Sequence, residues 1–146
     1  MRVLPLLSAA ALALSACATA GDLPTLRYLE AGQRGPRVSE EAFRRAADLW
    51  SDAVVDAAAC RLPMGDVVSA GFSAQAELSA MADYVEGDTH GVMAQAMSDL
   101  LLAGVSGRPA PARARCARLA RWLPDVRARR EEAGSWSALE KLLTGR

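Results

Sequence analysis

Apolar positions recur along most of this chain with the 3.6-residue period of an α-helix, and turn residues separate the runs. Ser39 with Glu40 and Glu41 marks a helix start, an N-cap oxygen followed by acids that complement the dipole. From there Phe43, Ala46, Trp50, Ala53, Ala57 and Cys60 recur at steps of three and four residues, up to a stop at Leu62-Pro63. A second run, capped by Asp66, carries Val67, Gly71, Ala74, Leu78, Met81 and Val85 and stops at Gly87, with Phe72-Ser73 as a candidate break. Asp88-Thr89 opens a third helix bearing Met93, Met97 and Leu100, which ends at Gly104. Gly104 to Pro111 is the clearest loop. Ala112, Cys116, Leu119 and Leu123 then mark a fourth helix, kinked or restarted at Pro124 and continuing toward Glu132. Ser137 and Glu140 form a capping box for a short last helix ending at Gly145, and a short first helix spans Thr25 to Ala31. The expected fold is all-α, a small four- to five-helix bundle in a single domain over residues 25–146.

The first residues differ in kind. Met1 and Arg2 precede an apolar stretch from Val3 to Leu14 that is too short to span a bilayer, which is the pattern of a secretory signal. The stretch ends in Leu14-Ser15-Ala16-Cys17, which resembles the lipobox of bacterial lipoproteins. That resemblance implies cleavage of residues 1–16, acylation at Cys17 and a tether over residues 17–24 that holds the domain close to a membrane. Ala18 is not the Asp that serves in the enteric lipoproteins as the signal for retention at the inner membrane, so the resemblance implies the outer membrane, periplasmic side. Ordinary signal cleavage after Ala18-Thr19-Ala20, giving a secreted or soluble periplasmic protein, is the alternative, and a buried N-terminal helix is a third.

With Cys17 set apart, Cys60 and Cys116 form an even pair in an oxidising compartment, and each lies on an apolar stripe. A disulfide between them is expected, ahead of a reactive thiol or a metal pair, because no CxxC spacing or neighbouring histidine supports those.

Composition narrows the picture further. Apolar residues make up 51% of the 146 residues but aromatics only 5%, so the core is built from Ala, Leu, Val and Met, which suit close-packed helices better than a β-sandwich. The 17 basic residues equal the 17 acidic ones, and a nucleic-acid partner is not expected. The balance hides an asymmetry: residues 39–104 hold 11 acids against 3 arginines, and residues 105–130 hold 8 arginines against Asp125. In the basic stretch Arg115, Arg118 and Trp122 share a helical stripe roughly 100° from the Cys116 face, which makes them candidates for binding a partner or an anion. The competing reading is that these arginines neutralise the acidic helices and Trp122 packs under the C-terminal arm around Trp136.

Signals for catalysis are weak. The single histidine, His90, has no nucleophile elbow to serve, since Gly71-Phe72-Ser73-Ala74-Gln75 lacks the closing glycine. HExxH, Walker and GxGxxG patterns do not occur, so neither an enzyme nor a cofactor is expected. His90, Met93 and Met97 lie at i, i+3 and i+7, a spacing that would suit Cu(I), although methionine at that spacing is also ordinary core packing.

In size, helical content, lipid anchor and one disulfide the chain is similar to the small α-helical pilotin lipoproteins. That similarity implies a non-enzymatic assembly factor that takes part of an envelope protein into a helical groove. A periplasmic inhibitor or immunity protein, and a carrier of Cu(I) or an anionic ligand, are the alternatives.

Overall fold

The computed structural model describes residues 22–32, 35–135 and 138–145. The signal stretch, Cys17, the start of the tether, Trp136 and the capping residue Ser137 lie outside them. Within them are six helices, four of them long: α1 (Arg27–Ala31), α2 (Glu40–Ala59), α3 (Met64–Ala82), α4 (His90–Leu101), α5 (Arg113–Glu132) and α6 (Ala138–Thr144). The all-α expectation holds. A 3₁₀ turn, Ala103–Val105, follows α4.

α2 forms because Ser39 caps it, the hydroxyl accepting from the Ala42 N–H at 3.1 Å, and because Glu40–Arg44 and Glu41–Arg45 pair one turn apart on its outer face. It is the central helix, packed against α3, α4 and α5. That is why Ala53, Val54, Val55, Asp56 and Ala57 are all buried in succession, where the sequence pattern led us to expect a single stripe. Trp50 and Phe43 fill its core side, and the Trp50 ring meets that of Trp122 on α5 with centroids 5.6 Å apart.

α2 ends in a pair of bonds typical of a left-handed cap, Leu62 N–H to Ala57 C=O at 3.2 Å and Arg61 N–H to Ala58 C=O at 3.0 Å. α5 ends in the same motif with Gly134 in the left-handed position, whereas α2 puts Arg61 there at φ 57°. An L side chain is strained in that conformation. Arg61→Gly is therefore expected to raise the unfolding free energy by about 0.5–1 kcal/mol, read from the urea midpoint.

Three details depart from the sequence expectation. α3 begins after Pro63, with Asp66 in its first turn and not at its cap, and it runs unbroken through Phe72-Ser73. Within the unbroken helix the Ser73 hydroxyl donates to the Ser69 carbonyl at 3.1 Å, so its polar group is satisfied inside the core. α3 also stops at Ala82, because Val85 and Glu86 pair in parallel with Val38 and Ser39 in a two-residue bridge. α5 likewise runs through Pro124. The bond that proline cannot make would come to Ala120, and both residues are exposed, so the missing bond falls on the solvent side of the helix.

Cys60 and Cys116 form the expected disulfide, with Cα atoms 5.6 Å apart, joining the end of α2 to the first turn of α5.

The segment that leads in from the N-terminus is fixed by polar contacts. Trp122 Nε1 donates to the Pro24 carbonyl at 2.9 Å, and Arg129 on α5 grips both oxygens of Glu30. The carboxylate of Glu77, buried on α3, accepts the Tyr28 N–H at 2.7 Å and the Leu29 N–H at 2.8 Å, so it caps α1 from a distance. Burial raises the Glu77 pKa above its ordinary value, only partly opposed by those two N–H groups. A carboxyl whose pKa is higher folded than unfolded stabilises the fold fully below its unfolded pKa, and that stability is lost as pH rises through the folded value. Wild type should therefore lose more stability than Glu77→Gln between about pH 4.5 and neutrality, measured by urea unfolding at each pH.

Candidate docking surface

The basic helix is largely engaged within the fold. Arg115 Nε lies 2.6 Å from Asp56, Arg127 pairs with Glu131 at 2.8 Å and reaches Asp66 at 4.0 Å, and Arg129 holds Glu30. Trp122 is core: it is 8% exposed, lies between Trp50 and the Pro24 carbonyl, and offers no aromatic face to a partner. Trp122 is enclosed because α5 is covered on a wide arc, by α2 and α3 and by the N-terminal segment together. Arg118 is half-buried, with an Nε that has no hydrogen-bond partner among the described residues. Arg115, Arg118 and Trp122 thus do not stand together on an open face.

His90, the first residue of α4, is exposed, while Met93 and Met97 pack against the core beside Val92 and Ala96. Among the described residues no group of three or more His, Cys, Asp or Glu side chains is placed to hold a metal ion.

The open feature lies elsewhere, between α2 and α4. Asp48, Ser51, Asp52 and Val55 fall at i, i+3, i+4 and i+7 on α2, and with Asp99 of α4, Leu102, Ser106 and Arg108 they line a cleft of about 520 Å³. Arg108 closes one end, its guanidinium 3.0 Å from Asp52 and 3.1 Å from Asp56. Burial alone would lower the Arg108 pKa, but the hydrogen bonds it donates to Asp56 and Asp52, with the attraction of both charges, outweigh it and the pKa is raised. Asp99 accepts from Gln95 at 2.9 Å. Asp48 has no ion pair or hydrogen bond among the described residues, so the cleft is acidic at its open end.

Ser51 is the anomaly of the site. It is 7% exposed, and its hydroxyl has no partner among the described residues. An unmade buried hydrogen bond costs about 1–3 kcal/mol. Ser51→Ala removes that cost and adds helix propensity, so the variant is expected to be more stable by about 1 kcal/mol, visible as a higher urea midpoint.

Apolar side chains continue the surface outward from the cleft. Leu101 is 84% exposed, Val105 78% and Leu102 54%, and the Met64 methyl lies 3.6 Å from where a Cβ on Gly104 would stand. Contiguous exposed apolar side chains beside polar ones mark interaction surfaces. On the far side of the 106–110 loop a second cleft, of about 690 Å³, has the disulfide in its wall and shares Ser106 and Arg108 with the first. The run Leu100-Leu101-Leu102 followed by Val105 was the available sequence signal, obscured because consecutive leucines at a helix end read as core.

No protein-family model, no curated protein and no solved structure matches this chain.

Proposed function

We propose that this chain is an outer-membrane-anchored, periplasm-facing lipoprotein that binds another envelope protein and performs no chemistry of its own. The observation that carries the reading is the corner formed by Leu101, Leu102 and Val105, apolar side chains left in water directly beside the acidic cleft; Leu139, Leu142 and Leu143 on α6 are exposed as well, but none of them lines that cleft. The lipobox resemblance at Cys17 supports the anchor. Several acyl chains on one cysteine hold far more firmly than one, at about 0.8 kcal/mol per buried methylene, so the binding surface would act at a membrane and not in free solution. Among the described residues no helix is long and apolar enough to cross a membrane.

Two measurements test this. Cys17→Ser should move the protein from the membrane fraction to the soluble one and abolish labelling by an alkynyl fatty acid; continued labelling, or unchanged fractionation, would remove the anchor. Chemical crosslinking in intact cells followed by purification should recover a defined envelope partner. Recovery of none, from a protein that instead binds lipid or a metal ion, would overturn the reading.

A further inference from the structure

We infer that the cleft between α2 and α4 receives a basic, amphipathic segment of the partner protein. A lysine or arginine head enters among Asp48, Ser51, Asp52 and Asp99, and the apolar residues beside it lie on Leu101, Leu102 and Val105. This rests on the protein-binding reading above and gives the partner's chemistry.

Charge is the first argument. Of the carboxylates around the cleft, Asp52 and Asp56 are ion-paired, with Arg108 and Arg115, while Asp48 and Asp99 make no ion pair among the described residues, so negative charge is left over. Hydrogen-bond chemistry is the second. Carboxylates only accept, so a lining of Asp48, Asp52 and Asp99 calls for a guest rich in N–H donors. An ammonium brings three such donors and a guanidinium five. Shape is the third, since Val55 and Leu102 give the alkyl stem of such a side chain an apolar wall. The apolar rim outside the cleft then covers the residues on either side of the basic one. An anionic lipid surface does not fit, because its headgroups would meet unbalanced carboxylates.

The test is a protein-observed NMR titration of the full lipidated chain in a neutral detergent. The probes are the peptide acetyl-Leu-Lys-Leu-Leu-Lys-amide, the same peptide with Glu for Lys, and n-butylammonium. The lysine peptide should shift the amides of Ser51, Asp52, Leu102 and Ser106 saturably, and the glutamate peptide should not. Asp48→Asn combined with Asp99→Asn should weaken the lysine peptide at least tenfold. Absence of cleft shifts, an equal response to the glutamate peptide, or n-butylammonium binding as tightly as the lysine peptide would each overturn the inference. A crosslinked partner whose contacts map elsewhere would sink this inference and leave the functional reading standing. Peptide binding at the cleft with no envelope partner recovered would do the reverse.

Discussion

Arg130→Met alone is expected to lower the unfolding free energy by about 3–5 kcal/mol, whereas Arg130→Met combined with Glu140→Leu should recover most of that loss. Arg130 and Glu140 are each 1% exposed, and the guanidinium holds both carboxylate oxygens of Glu140. It also donates to Ser73 Oγ at 2.8 Å, the Ser135 carbonyl at 2.9 Å and Ser69 Oγ at 3.1 Å, while Ser69 donates to Glu140 at 2.8 Å. The pair thus ties α6 onto α3 and α5. Removing only the arginine leaves a carboxylate in the interior without its counter-ion, and the desolvation cost of that charge is what the single variant would expose. Removing both charges leaves only the packing mismatch and two serine hydroxyls to re-pair. Urea unfolding of the two variants measures this directly. A single-variant cost below about 1 kcal/mol would mean that α6 is not held by the pair.

Cys60→Ala with Cys116→Ala is expected to cost about 4 kcal/mol, because the bridge closes a loop with sequence separation 56 that holds all of α3, α4 and the loop after it. Small domains are stable by only about 5–15 kcal/mol, so the variant would be near the edge of folding. Its melting temperature should fall by more than about 10 °C. The cleft straddles the closed loop, with Asp48, Ser51, Asp52 and Val55 on the bridged helix α2 ahead of Cys60, and Asp99, Leu102, Ser106 and Arg108 between the two cysteines. Loss of the bridge should therefore weaken partner binding along with stability.

What could be read from the sequence follows a physical line. Helix period and the Ser39 cap are local properties of consecutive residues, and the structure bears them out in α2 and α5; the Cys60–Cys116 pairing forms as well, although both cysteines are only half-buried. Long-range polar pairing has no period. Nothing in the spacing of Arg130 and Glu140 announces a buried pair between helices, and nothing around Glu77 announces that it caps α1, 49 positions away. The spacing of Trp122 allows both a partner-facing and a packed reading, because a stripe argument assumes one covering neighbour, whereas α5 has several and Trp122 is buried. The charge asymmetry was legible, and Arg108, Arg115 and Arg129 do answer acids on α1 and α2. Which acids stay unanswered was not, since that depends on how α2 and α4 lie together. The cleft of Asp48, Ser51, Asp52 and Asp99 became visible only through that packing.

The central claim is that this corner of the molecule is where a partner docks, and position-specific photo-crosslinking in living cells tests it most directly. A photoreactive residue at Leu101, Leu102 or Val105 should give one discrete adduct, while the same residue at the exposed positions Ala117, Arg121 or Ala128 on α5 should give none. The adduct should disappear when Asp48 and Asp99 are both changed to Asn. Equal adducts from both sets of positions, or an adduct from Leu101 that survives loss of both carboxylates, would contradict the account.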